Sequence, residues 1–160
     1  MGFIANDPEP IYDPQNPAEG SIAGDGFYPT TDLARIRDIG RISTIVTDPQ
    51  LREAAIGGII TVRNQLREWR AAMVAAGRAS MATASDEQLD GKPLLELLYD
   101  RAVTATVAAE LLETRQDVGA SKEGRDRAEA CEQPAPDWRR IATHAIRDIL
   151  GVGRTAVELI

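Results

Sequence analysis

Residues 94–116, LLELLYDRAVTATVAAELLETRQ, decide the fold. The run holds no Gly or Pro, and Pro93 immediately before it marks a helix start. Leu94, Leu98, Ala102, Ala105, Ala109 and Leu112 recur at helical spacing on one stripe. Leu95, Val103, Val107 and Leu111 form an adjoining stripe. From Ala102 to Ala109 every residue is Ala, Val or Thr. A turn that is apolar and small nearly all round cannot face water on any side, so this helix is expected at the centre of a bundle.

Working outward, the segment before it reads as a second long helix. Asp48 is expected to cap it, with Pro49 at the first helical position and Gly77 stopping it after Ala76. Leu51, Ala55, Ile59, Val62, Leu66, Trp69 and Met73 make one stripe, with Arg52, Glu53, Arg63, Arg67, Glu68 and Arg70 largely off it. Gly57-Gly58 inside this helix costs about 1 kcal/mol per glycine relative to Ala, which calls for a bend or for close approach of another helix or subunit. Close packing is favoured, because Ile56, Ile59 and Ile60 widen the apolar face there. The excess width suggests a surface that a neighbouring chain covers. A short helix is expected from Thr31-Asp32 through Leu33, Ile36 and Ile39 to about Ser43. A polar connection runs over 78–92, and a second polar stretch over 117–132 carries Gly119 and Gly124. A last helix follows Pro134 and Pro136, with Trp138, Ile141, Ala142, Ala145 and Ile149 on one side, and Gly151 and Gly153 end it. The expected architecture is all-α: a small bundle of about four helices over 31–153, with an extended arm at each end.

The N-terminal arm, 1–30, stands apart in composition. From Met1 to Thr31 there are five acids (Asp7, Glu9, Asp13, Glu19, Asp25), no Lys or Arg, and five of the nine prolines. The remaining residues hold 20 acids against 18 bases, so most of the net charge of −7 sits in the arm. Proline removes donors and like charges repel, which argues against a helix. The segment is read either as a solvated tail or as an arm that orders against a partner, anchored by Ile11, Tyr12, Ile22 and the pair Phe27-Tyr28. At the other end, 154–160 carries Val157, Leu159 and Ile160, too short for a helix and apolar enough to seek a partner edge.

The 160 residues make one domain's worth of protein, with apolar residues at 43% and aromatics at only 4%, so the core rests on Ala, Ile, Leu and Val. No run approaches the roughly 18 apolar residues of a membrane span, and Met1–Pro10 lacks the basic start and apolar stretch of a signal peptide. A single cysteine, Cys131, excludes an internal disulfide framework. The negative balance argues against gripping nucleic acid through a broad basic surface.

Catalytic chemistry is missing from the pattern. His144 is the sole histidine, flanked by Arg140 and Asp148 at four-residue spacing, with no second ligand to complete a metal set. Cys131 has no basic neighbour on a clear helix to activate it. Gly151-Val152-Gly153-Arg154-Thr155-Ala156 fits a dinucleotide-binding pattern, but a helix rather than a strand precedes it. Carboxylate pairs such as Glu110/Glu113 are ordinary on a solvated helix face. Arg outnumbers Lys 16 to 2, which reflects genome composition or service of Arg at protein contacts. No enzyme, metal or cofactor is expected.

Several short motifs follow one another along the chain: Phe27-Tyr28-Pro29 with Asp32, Leu51-Arg52-Glu53-Ala54, Ala76-Gly77, and Leu89-Asp90-Gly91-Lys92. After them come Tyr99-Asp100-Arg101-Ala102-Val103, Ala120-Ser121-Lys122 with Gly124, Trp138-Arg139 and the brief apolar tail. In this order they resemble the head-completion (gpL-type) proteins of temperate contractile-tailed bacteriophages. The resemblance covers about Phe27 to Ile160. It departs at the Pro134/Pro136 break and in the arm before Phe27, which has no clear counterpart. It implies a virion connector without a chemical step: a helical subunit, assembled in the host cytoplasm, that forms a dodecameric ring at the neck. Such a ring docks on the portal protein after packaging, closes the head and meets a tail terminator or tail-completion protein, while packaged DNA passes through. On this reading Val157, Leu159 and Ile160 are expected at the portal, and Phe27, Tyr28, Ile56, Gly57, Gly58 and Ile60 between neighbouring copies. The competing readings are a small cytoplasmic helical regulator and a tail-completion protein.

Overall fold

The computed structural model describes residues 20–118 and 135–152. The central run forms α4, Leu94–Val118, and all eight residues from Ala102 to Ala109 are buried. One flank of α4 presents Tyr99, Ala102, Val103 and Val107 to α2, Asp48–Gln65, in the main core. The opposite flank sets Ala105, Ala108 and Ala109 against Trp138 and Ala142 of α5, Ala135–Ile149. The lower half of α5 turns Ala145, Ile146 and Ile149 back into the main core. Small side chains on α4 let both helices come close, so the apolar girth read from the sequence is accounted for by two neighbours.

Of the Gly57-Gly58 pair, Gly58 serves close packing, and the partner is α4 of the same subunit. A Cβ added at Gly58 would stand 2.7 Å from the Val107 Cγ2 atom, whereas one at Gly57 would meet nothing nearer than a Glu110 carboxylate oxygen at 3.5 Å. The neighbouring chain invoked to cover this face is therefore not required at Gly58.

Helix ends follow local chemistry, with three departures from expectation. The cap of α2 is Thr47, not Asp48. The Gln50 amide donates to Thr47 Oγ1 and the Thr47 amide donates to Gln50 Oε1, a capping box that outcompetes Asp48. Asp48 instead accepts from Arg37 at 2.8 Å. The rod expected over 48–76 turns at Leu66, where φ −93° and ψ 4° leave the helical basin, and resumes as α3, Arg67–Ala75. No Gly or Pro marks that turn; Leu66 is fully buried, and the turn carries Trp69 and Arg70 onward. The first helix, α1, Leu33–Ile39, takes its cap from Asp32, the second residue of the Thr31-Asp32 pair expected to open it, but stops four residues before Ser43. Arg41 occupies the left-handed region at φ 50°, and the Ile42 amide closes back onto the Arg37 carbonyl. The same terminator ends α3 at Gly77 and α5 at Gly151, where glycine made it visible.

Two short antiparallel pairs join the helices. Ser21–Ile22 (β1) pairs with Thr31–Asp32 (β2), and Gln88–Leu89 (β3) with Lys92–Pro93 (β4). The second is a two-residue hairpin through Asp90-Gly91, both at positive φ. The 78–92 connection also contains a 3₁₀ turn, Met81–Thr83, whose Met81 is fully buried. Among the described residues no helix is long and apolar enough to cross a membrane. Val157, Leu159, Ile160, Cys131 and the Ala120-Ser121-Lys122 motif lie outside the described residues, as does the arm before Gly20.

The two adjacent glycines predict opposite mutational effects. Gly58→Ala gains helix propensity but forces Val107 aside, for a net loss of about 1–2 kcal/mol. Gly57→Ala meets only ordinary contact and stabilises by about 0.5–1 kcal/mol. Urea denaturation of the two variants checks the sign at each position.

Candidate interaction surfaces

Residues 20–32 are a strap drawn tightly over α2, α3 and α4. The Leu33 amide donates to the Gly20 carbonyl, Arg52 donates to the Ser21 carbonyl at 3.0 Å, and the Met81 amide donates to the Phe27 carbonyl at 2.8 Å. At its apex Asp25 folds back, one carboxylate oxygen accepting from the Phe27 and Tyr28 amides at 3.1 and 2.9 Å. The other oxygen lies 3.2 Å from Arg70 and 3.7 Å from Arg63. Burial pushes the Asp25 carboxyl up, but the Tyr28 amide, the two guanidinium groups and the Phe27 amide outweigh it and hold the group below its ordinary value.

That turn inserts two aromatic side chains. Tyr28 stacks on Tyr99 with ring centres 5.0 Å apart, and Phe27 meets Tyr28 and Trp69 edge-on at 5.2 and 5.9 Å. Arg63 lies 4.7 Å over the Tyr28 ring and donates to the Tyr99 hydroxyl at 3.0 Å; Arg70 is 5.4 Å from both strap rings. Charge and ring face thus converge on each arginine, and Arg63 adds a hydrogen bond. The Tyr28 hydroxyl is buried and has no hydrogen-bond partner among the described residues. Burial raises the hydroxyl pKa of both tyrosines.

The strap changes the reading of Phe27 and Tyr28. Expected at a contact between copies, they are 4% and 3% exposed inside the subunit's own core. The boundary expected at residue 30 falls within this folded segment. Of the other residues expected between copies, Gly58 is buried, Ile56 and Gly57 are half-buried, and Ile60 is exposed at 54%. Val74 on α3 is equally exposed.

A different surface was not legible as a site. Between α1, α4 and α5 lies a groove of about 420 Å³ whose walls are Ile39, Leu97, Trp138 and Ile141, with Thr104 at its floor. Arg35 and Asp100 face each other across it at 3.8 Å, and Arg101 stands exposed at its lip. Burial raises the Asp100 carboxyl pKa, against the pull of Arg35. The sequence signal was faint: Ile39, Asp100 and Trp138 are far apart in the chain and meet only through helix packing. On the far side of α5, Arg139 grips Glu113 through two hydrogen bonds, the Nε contact at 2.7 Å. Among the described residues no group of three potential metal ligands comes together, and His144 sits half-buried on α5.

The motifs now have structural duties: aromatic strap, α2 entry, hairpin turn, Tyr99 stack and Trp138 packing. The same stretch, residues 22–160, matches the family of phage head completion proteins (GPL). The chain belongs to that family. A relative, the head completion/stabilization protein of Escherichia phage P2, is 31% identical over 134 residues, covering 84% of this chain and 79% of its own. No solved structure matches the chain. Phage head completion is a structural role in the virion, and the GPL family is not a family of enzymes. The GPL match begins at Ile22 in β1, so all but the first two residues of the strap belong to the matched region.

Two expectations test the strap. Tyr28→Phe removes a hydroxyl without a described partner and changes stability by less than about 0.5 kcal/mol, while Tyr99→Phe strips Arg63 of its acceptor and costs about 1 kcal/mol or more. Thermal or chemical denaturation separates the two. Because the Asp25 carboxyl is depressed when folded, its contribution is present above its ordinary value of 3.8 and is lost as pH falls through the lower folded value. Unfolding followed from about pH 6 down to about pH 2 should show a steeper acid loss for the native chain than for Asp25→Asn.

Proposed function

We propose that this head completion protein is the subunit of a homo-oligomeric ring at the virion neck, which docks on the portal protein after DNA packaging, closes the head and offers a seat for the tail. The observation that carries the reading is the match of residues 22–160 to the head completion family, with a relative named for head completion and stabilization. A closed ring needs heterologous interfaces, each subunit offering two different faces. The exposed apolar positions Ile60 on α2 and Val74 on α3 supply one side of such a contact, with Ile56 and Gly57 at its edge. Val157, Leu159 and Ile160 are assigned to the portal: an apolar end adds a tethered contact once the ring has engaged, and many copies multiply it. The tail terminator or tail-completion protein then binds the opposite rim. Outside the N-terminal arm the chain is close to neutral, 20 acids against 18 bases, which suits a channel through which DNA slides without counterion-release binding.

Sedimentation of the purified protein with portal assemblies tests this. Co-migration in a ring stoichiometric with the portal is expected. Deleting residues 154–160 should leave the melting temperature unchanged and weaken portal binding at least about tenfold, ~1.4 kcal/mol per site. A chain that ignores the portal overturns the reading, and a truncated chain that binds unimpaired overturns the role of the tail.

A further inference from the structure

The groove between α1, α4 and α5 is an apolar slot with a positive lip. Ile39 is 48% exposed although it lines the slot, and a large aliphatic side chain half open to water in a walled depression gains by being covered. Leu97, Trp138 and Ile141 complete the apolar wall. The charges are unequal: Asp100 is answered by Arg35 at 3.8 Å, while Arg101 has no ion-pair partner among the described residues. An occupant that fits carries adjacent apolar side chains with a carboxylate beside them. About 420 Å³ lies within the range of cavities that take a ligand-sized group.

We infer that this groove is the docking site for residues 9–13 of the chain's own N-terminal arm, with Ile11 and Tyr12 in the slot and Glu9 or Asp13 at Arg101. Two independent facts select that segment. The first is charge: Glu9-Pro10-Ile11-Tyr12-Asp13 brackets its apolar pair with acids, and no Lys or Arg occurs anywhere from Met1 to Thr31. The C-terminal segment 154–160 places Arg154 and a single Glu158 beside its apolar residues, a poorer complement to an arginine lip. The second is reach. The strap is pinned at Gly20, whose carbonyl accepts from Leu33 at the start of α1. Asp13 lies seven positions before Gly20, a reach of up to about 23 Å. The groove residues Arg35 and Ile39 lie on α1 itself, whose length from Leu33 to Ile39 is about 9 Å. The arm therefore leaves the body beside the slot and has length to spare. Docking the arm places its acids against the subunit's own α1 and α4, a constraint that holds with or without a ring.

The test is disulfide trapping in the full-length chain. With Cys131→Ser removing the native thiol, Tyr12→Cys is paired with Ile39→Cys in one protein and with Val74→Cys, equally exposed on α3, in a control. Intrachain oxidation of the Ile39 pair is expected about tenfold faster than the control, slower at high salt and slower again with Arg101→Glu, since the lip contact is exposed to screening. A nitroxide on Ile39→Cys in the otherwise native arm gives a second readout: paramagnetic broadening of the amide signals of residues 9–13. Equal rates at both positions, crosslinks only between two chains, or unbroadened arm signals each overturn the inference.

Discussion

Everything in this fold depends on the need to cover the middle of α4 on all sides. Eight consecutive Ala, Val and Thr residues present no charged or amide side chain that water could solvate, and a single partner helix buries only about a third of a helix's girth. The chain meets the requirement with α2 on one flank and α5 on the other. Closeness is possible because the facing residues are small. Gly58 lets α2 approach until no Cβ fits above Val107, and the alanines of α4 leave room for Trp138. Where side chains are this short, burial has to come from approach of the backbones, and glycine in α2 is the residue type that permits it.

Two helices leave a third sector of α4 open near Tyr99, and the strap fills it. The strap is held by an arginine-aromatic cluster more than by aliphatic packing, which suits a chain so poor in aromatics: four of its seven aromatic residues gather there. Asp25 organises the turn, Arg63 and Arg70 tie it to α2 and α3, and the rings carry the buried area. Because Arg63 serves the Tyr28 ring, Asp25 and the Tyr99 hydroxyl together, the contributions are coupled rather than additive. A segment rich in Gly and Pro is thereby made part of the body, and a surface expected to serve a neighbouring copy is consumed within the subunit. Among the exposed apolar positions that remain, Ile60, Val74 and Ile39 lie where other chains or the arm could cover them.

The helices were legible because their signals are local. Stripes at three- and four-residue spacing, Asp32 as a cap and Gly77 and Gly151 as stops all act within a turn of the residues they govern. Arg41 shows the limit: the αL stop it makes is invisible where glycine does not advertise it. Asp90-Gly91, a strong hairpin signal, sat within what read as a polar connector, and Met81 gave no local sign that it would be buried.

The sequence by itself determined the helical class, the buried centre of α4, a close approach within the Gly57-Gly58 pair and the family, since periodicity, residue size and motif order are properties of the linear chain. Only the tertiary structure decided what each apolar face meets. It put Phe27 and Tyr28 in the subunit's own core, assigned Gly58 to α4 of the same chain, and assembled the α1–α4–α5 groove from residues a hundred positions apart. The reason is physical: a periodic pattern states that a face must be covered, but the identity of the cover depends on crossing geometry and on competition among all segments at once.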